Sequence, residues 1–355
     1  AALPPPSVPA PLSSPTSVNL QVGTRLGLRV QTPQTPDRLG SLQSDGVAAI
    51  VLWGKVHPLL AWQAGMVGAY LTDQTTHAEL LDLVAKVEIA EAFNLWLGRM
   101  PMPSDRTSLA TIWALPTWTV PGSYVGPLGA NPNFWPGPRY GSLGRGDGVS
   151  LWGQWRGGLV KYYLGAFDLD QTTASPLYTG RLSLSLFNPE PGYRTSSGYY
   201  GAKNVLSLGV GAQHQASTTS SAATPTAASD DFNEVNVDLL CEKNGGSAGV
   251  VDVESAFHET WDNGRASQQI LALASYLVPI EIGIGLFQPL LRYQHITDGR
   301  GPELGKSTVL DAQLGYIIAG YGARLLASYQ YLEAPGSHQN AVLIGLQLLS
   351  RPGPP

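Results

Sequence analysis

The sequence predicts an all-β protein, a 16-stranded antiparallel transmembrane β-barrel with long external loops. Three observations predict this fold. First, only 13% of the 355 residues are charged, although the hydrophobic content is an ordinary 43%. A soluble globular chain carries about 25% charged residues. Second, polar and apolar residues alternate with a period of two along most of the chain. Third, short and long connections alternate between these segments, as in outer-membrane barrels.

The composition excludes several other classes of protein. A net charge of −5 argues against a nucleic-acid binder, which carries a basic surplus, and against a highly charged disordered chain. A helical membrane protein needs apolar runs of about 20 residues. The longest charge-free run, residues 107–138, contains six prolines and cannot form such a helix. The single cysteine, Cys241, excludes an internal disulfide framework.

The alternating pattern sets the expected domain boundaries. Residues 1–17 are rich in proline, serine and alanine and are expected to form an extended periplasmic tail. The barrel is expected to span residues 18–350, followed by a short C-terminal tail at 351–355. Sixteen alternating segments are predicted as strands, at residues 18–31, 45–57, 59–71, 79–90, 93–101, 147–156, 158–168, 176–187, 202–214, 232–243, 248–260, 267–278, 280–296, 307–318, 322–332 and 339–350.

The connections between these strands differ in length at the two ends of the barrel. Short turns such as His57-Pro58 and Val278-Pro279 follow even-numbered strands, and longer loops follow odd-numbered ones. Residues 188–201, NPEPGYRTSSGYYG, are long and break this rule. Alternating strands also suit a soluble β protein with one wet face, but the missing surface charge favours a membrane. In lipid, each backbone N–H or C=O group without a hydrogen-bond partner costs several kcal/mol, and closure of the barrel gives every strand partners on both sides.

The longest connection follows the fifth strand and covers residues 101–146. Loops of more than about 15 residues are usually functional or disordered, and the aromatic content of this loop argues against disorder. It is predicted either to narrow the barrel or to form an external lid or a subunit contact. The residues expected to act in this loop are Arg106, Arg139, Arg145, Trp113, Trp118 and Trp135.

Two short motifs resemble a known family. Residues 95–103, LWLGRMPMP, resemble the strand-to-loop junction of the phosphate-selective porin O and P family, and residues 159–168, LVKYYLGAFD, resemble its next hairpin. With sixteen strands and a long third loop, the chain resembles an outer-membrane general porin. The resemblance implies a homotrimer in the bacterial outer membrane, with the third loop folded into the lumen as the constriction. The family also guides anions to lysines on that loop, but residues 101–146 contain no lysine.

Charged residues on the polar faces of the strands are predicted to line the lumen and to separate by sign. Such rows of fixed charge set ion selectivity in pores, and facing walls of opposite sign would create a transverse field. The alternative is that the charges pair between neighbouring strands and only keep the lumen wet. The predicted basic wall consists of Arg25, Arg29, Lys55, Lys86, Arg156, Lys161 and Arg181, and the acidic wall of Asp238, Glu242, Asp252, Glu254, Glu281 and Asp311.

These patterns predict a function without chemistry, in which small hydrophilic solutes and ions diffuse through a water-filled barrel. The expected partners are outer-membrane lipid, the diffusing solutes and two further copies of the chain, and not nucleic acid. No cofactor or metal is expected, and no enzymatic activity. Two alternatives stay open: a channel specific for phosphate or another anion, and a structural or adhesive barrel whose loops bind partners.

Overall fold

The structure is a computed structural model that describes residues 17–31, 41–70, 76–120, 139–169, 175–216, 231–262, 265–297 and 305–350. Sixteen long strands dominate these residues. They are β1 Ser17–Gln31, β2 Ser41–His57, β3 Leu60–Tyr70, β4 Thr76–Ala90, β5 Phe93–Pro101, β6 Arg145–Trp155, β7 Val160–Asp168, β8 Leu177–Phe187, β9 Val205–Gln215, β10 Phe232–Asn244, β11 Val250–Asp262, β12 Arg265–Leu277, β13 Gly285–Thr297, β14 Lys306–Ile317, β15 Ala323–Ala334 and β16 Ser337–Leu349.

The strands form one closed antiparallel sheet. Each strand pairs with its neighbours in the chain, and β1 pairs with both β2 and β16, where Gly23 lies opposite Leu349. Closure leaves no sheet edge, so the backbone of every long strand is paired on both sides. The predicted fold, a closed 16-stranded antiparallel barrel, is therefore confirmed.

The helical elements are short and lie in the connections. They are a helix at Arg106–Leu109 and three-residue 3₁₀ turns at Ile112–Ala114, Ser142–Gly144 and Gly246–Ala248. No helix among the described residues is long and apolar enough to cross a membrane. The predicted thirteenth strand starts late, at Gly285, because the chain turns at Gly283 with φ of 69°. The residues before this turn, Glu281–Ile282, form a separate two-residue strand at the tip of the hairpin.

The barrel wall is apolar outside and polar inside, the reverse of a soluble protein. Leu26, Leu291 and Ile344 on the outer face are 58%, 67% and 59% exposed, whereas the inward-facing Arg25 is fully buried. Cys241 lies on the outer face, partly exposed, where the sequence pattern places it. The interior also holds an aromatic cluster, in which Trp96 stacks on Tyr193 with ring centroids 4.3 Å apart.

Candidate functional site

The connection after β5 runs inside the barrel over its described residues 102–120. Asp105 caps the helix at Arg106–Leu109 by accepting a 2.7 Å hydrogen bond from the Ser108 amide, and the Ser108 hydroxyl closes the capping box. Capping boxes of this kind satisfy amides that a helix start leaves free. The segment then turns at Ile112–Ala114 and continues to Thr119, which is completely buried.

Three arginines on the wall hold this loop by its backbone carbonyls. Arg25 on β1 donates to the carbonyl of Trp118 at 2.8 Å, and Arg292 on β13 donates to that of Thr119 at 2.8 Å. Arg324 on β15 donates to the Leu115 carbonyl at 2.7 Å. These guanidinium groups satisfy loop carbonyls that lack partners in regular structure, as buried polar groups require. The loop is thus fastened across the lumen to the far part of the sheet.

The ring of Trp118 fills a depression in the wall made by glycines. A side chain at Gly345 would meet the ring, with a Cβ 2.5 Å from its nearest atom, and one at Gly27 would lie 3.1 Å away. The guanidinium of Arg25 lies 4.2 Å from the ring centroid, a cation–π distance. Trp118 is fully buried, so it locks the end of the described loop against β1 and β16.

The connection after β8, residues 188–204, also enters the lumen. Glu190 in this connection forms a bidentate ion pair with Arg106, in which both side chains are 2% exposed. Burial raises the pKa of Glu190, but the charges of Arg106 and Lys161 outweigh that effect and lower the pKa to about 2. The pair is therefore ionised near neutral pH and joins the two connections inside the barrel.

Asp105 meets a second group that links the loop to the wall. The His258 ring on β11 lies 3.5 Å from the Asp105 carboxylate and 2.9 Å from that of Glu234 on β10. Burial raises the pKa of Asp105, but the hydrogen bond and charge of His258 lower it to about 2. The N-terminal end of the Arg106–Leu109 helix is thus tied to two elements, to the β10–β11 wall through Asp105 and to the 188–204 connection through Arg106.

Most of the residues predicted for the wall face the lumen and are buried. Lys86 is partly buried, 4.1 Å from the ring centroid of Trp96, and Lys55 lies at the short-turn rim, where it pairs with Glu88 at 2.7 Å. The fully buried members of the predicted set are Arg25, Arg29, Lys161, Arg181, Asp238, Glu242, Asp252, Glu254 and Asp311.

Two of the predicted wall residues lie elsewhere. Arg156 was expected on β6, but the strand ends at Trp155 because Arg156 adopts φ of 52° and begins a tight turn. Its side chain is exposed at the rim. Glu281 was expected on a wall strand, but it is exposed in the two-residue strand at the tip of the β12–β13 hairpin. Neither side chain lines the lumen, so both predictions were wrong.

Many lumen charges are paired, which corresponds to the alternative interpretation of the sequence. Such pairs cancel much of the field that the separated signs would create. The pairs are Arg29–Asp45 at 3.4 Å, Arg145–Asp82 at 3.0 Å, Arg194–Asp82 at 2.9 Å, Arg181–Asp238 at 2.5 Å and Arg292–Asp311 at 3.0 Å. Among the described residues, Glu242, Asp252 and Glu254 form no ion pair; Glu242 accepts hydrogen bonds from the Tyr199 and Gly201 amides, and Glu254 accepts one from the Ser197 hydroxyl.

The loop arginines named from the sequence are also neutralised. Arg106 pairs with Glu190, Arg139 with Asp262 at 3.1 Å and Arg145 with Asp82. Trp113 and Trp118 are both buried against the wall, and Trp135 lies outside the described residues. The loop itself has no acidic residue over 108–146, so its countercharges come from other parts of the chain.

Several residues of this site were not predicted as functional. Arg324 lies on the polar face of β15, and the alternation there was a usable signal. Glu190 and Arg194 lie in the connection whose length broke the pattern, which was the only sequence signal for them. Between Pro116, Gly198 and the carboxylates of Glu242 and Asp252 there remains a cavity of about 10 Å³, room for about one water molecule.

Comparison with known proteins supports the fold. No family model and no curated protein matches the chain. Among solved structures it is similar to Pseudomonas putida OprB, with a TM-score of 0.68 at 9% identity over 94% of each chain. It is also similar to the anion-selective porin from Comamonas acidovorans (TM-score 0.61, 14% identity, 94% of this chain and 99% of that one). A third similar structure is Salmonella typhi OmpF in complex with daunomycin (TM-score 0.61, 11% identity, 94% and 98%).

Proposed function

We propose that this chain is an integral protein of the bacterial outer membrane that lets small hydrophilic solutes and ions diffuse through a narrow lumen. The observation that carries the proposal is a closed barrel with an apolar outer face whose interior is polar and crossed by the connection after β5. A lipid-facing apolar surface removes the need for surface charge. A polar interior is the lining of the water-filled channel in porins, and fixed charges on such a lining set ion selectivity.

The mechanism follows from size and charge and needs no reacting group. Solutes enter at the long-loop end and meet the 101–146 loop, which limits their size. Ions then pass the remaining fixed charges, where low-dielectric walls strengthen the local field. Arg25 and Arg324 are engaged by loop carbonyls, and many other lumen charges are paired, so we expect only weak selection by charge.

Planar-bilayer recording of the purified protein tests this proposal. We expect discrete conductance steps that are small for a barrel of this size and grow in proportion to salt concentration. A barrel with only a structural or adhesive role gives no steps, and this outcome would overturn the proposal. A homotrimer is expected from the porin resemblance and is checked by the mass of the protein in native detergent complexes.

A reversal potential in a salt gradient then distinguishes the kinds of channel. Only weak ion selectivity is expected, because many of the lumen charges are paired. An anion-specific channel, the alternative suggested by the motif resemblance, would instead show a chloride current that added phosphate blocks in a saturable way.

A further inference from the structure

We propose that the connection at residues 188–204 is a second constriction element, which enters the lumen from the short-turn end and sets the conductance together with the loop after β5. This inference rests on the proposed channel function. The two segments start at opposite ends of the barrel, because β5 ends at the long-loop end and β8 ends at the short-turn end. Their contact inside the lumen therefore spans the pore from both mouths.

The first contact between the segments is ionic. The Arg106 guanidinium and the Glu190 carboxylate make four N–O contacts of 2.5–3.0 Å. Glu190 also accepts hydrogen bonds from the hydroxyls of Ser185, at 2.9 Å, and Tyr199. Bidentate pairs between Arg and a carboxylate are strong and fix orientation, so this pair positions the two segments relative to each other.

The second contact is between the backbones of the two segments. The Thr195 amide donates to the Leu109 carbonyl at 3.3 Å, and the Ser197 amide donates to the Ala114 carbonyl at 3.1 Å. The Thr195 hydroxyl adds a 2.8 Å bond to the Arg106 carbonyl. Each segment thus supplies hydrogen-bond partners for backbone groups of the other, as buried backbone groups require.

The connection is also tied to two separate parts of the wall. On one side the Tyr193 hydroxyl donates to the Pro101 carbonyl at 2.9 Å, and Arg194 pairs with Asp82 on β4 at 2.9 Å. On the other side the amides of Tyr199 and Gly201 donate to the carboxylate of Glu242 on β10, at 2.5 and 2.6 Å. The connection therefore reaches from β4 and β5 to β10.

This placement narrows the lumen below what the loop after β5 achieves alone. Where the two segments and the β10–β11 wall meet, the cavity beside Gly198 and Asp252 holds about one water. The 188–204 connection lies between the described part of the loop after β5 and the wall at β4, β5 and β10. This position accounts for its exceptional length at an end where the other connections are short.

The test combines a charge variant with a reversible cross-link. Glu190→Gln removes the ionic contact, and Glu259→Gln, at the end of β11 with a 3.3 Å bond from Gln268, is the matched control away from the lumen. We expect the single-channel conductance of Glu190→Gln to rise about twofold or more, and that of the control to stay unchanged. Heat-modifiable migration in detergent gels shows that each variant has folded.

The cross-link joins Ser197→Cys to Ala114→Cys, whose backbones are hydrogen-bonded, in a Cys241→Ser background. Disulfides need Cα atoms within about 7 Å. We expect the disulfide to form on oxidation and to keep the conductance of Glu190→Gln at the wild-type level. Reduction of the disulfide should then raise the conductance. Failure of the disulfide to form would overturn the contact between the two segments. If the disulfide forms but the conductance changes neither with Glu190→Gln nor with reduction, the two segments are in contact and only the constriction role is overturned. Absence of conductance in every variant would overturn the proposed function.

Discussion

Replacing Trp118 by alanine should detach the end of the inward loop from the wall while leaving the barrel intact. The ring is fully buried against Gly27 and Gly345, which have no side chains to fill the space that the ring would leave. The cation–π contact with Arg25 at 4.2 Å would be lost as well. Because the barrel strands pair through backbone hydrogen bonds, the ring contributes to the position of the loop and not to closure.

The size of this effect follows from the burial of the ring. Truncating a buried tryptophan to alanine costs about 3–5 kcal/mol, and each 1.4 kcal/mol changes an equilibrium about tenfold. The population with the 112–119 segment detached should therefore rise by about a hundredfold to several thousandfold. The bonds from Arg25, Arg292 and Arg324 to loop carbonyls remain, so the segment opens transiently.

Hydrogen exchange measures this opening directly, because amide exchange follows the population of open states. Amides of residues 112–119 should exchange about a hundredfold faster in Trp118→Ala, and amides of the strands should exchange at the wild-type rate. Trp155→Ala is the matched control, since Trp155 lies on the outer face and is 47% exposed. Equal exchange of the segment in wild type and Trp118→Ala would show that the ring does not hold the loop.

Three further predictions concern the same lumen. Asp238→Asn leaves a buried arginine without its partner and should destabilise the fold by about 3–5 kcal/mol; an unchanged urea midpoint would contradict this. The pKa of Glu190 falls from 4.5 to about 2, so the stability from its ion pair is complete above about pH 4.5 and is lost as pH falls through about 2. Conductance should therefore stay constant from pH 7 to pH 5, and a step increase within that range would contradict control of the conductance by the Arg106–Glu190 pair. Gly345→Leu should displace Trp118 and reproduce the exchange of Trp118→Ala, whereas Gly180→Ala, with only one atom within 4 Å, should not; equal behaviour of the two glycine variants would contradict the packing.

The sequence predicted the wall well because a strand in a membrane barrel is specified locally. In β1, for example, odd-numbered residues face the lumen and even-numbered residues face lipid. Arg25 and Leu26 could therefore be assigned to lumen and lipid from the alternation alone. The errors lie at strand ends, where parity no longer applies. Arg156 and Glu281 follow the alternation in sequence, but positive φ at Arg156 and at Gly283 turns the chain away from the sheet.

The contents of the lumen could not be predicted in the same way, since they depend on contacts between distant residues. Arg106 and Glu190 are 84 positions apart, and Arg324 and Leu115 are 209 apart. Composition showed that residues 108–146 of the loop after β5 carry arginines without acids, and that residues 188–201 are too long for their end of the barrel. Neither observation indicates that the two segments meet, or that the loop arginines find their countercharges on the wall and in the other connection.

The sequence by itself determined the number of strands, their order, the face of each residue and the apolar exterior, because these follow from a period of two and from neighbouring strands pairing in turn. Only the tertiary structure decided which charges neutralise each other and how far the interior is filled. Once the sheet closes, side chains from distant strands face one small volume, and their desolvation favours pairing over the separation of sign that the linear order suggests. Glu242 is an exception, since its carboxylate accepts hydrogen bonds from the backbone amides of Tyr199 and Gly201 instead of pairing with a cation.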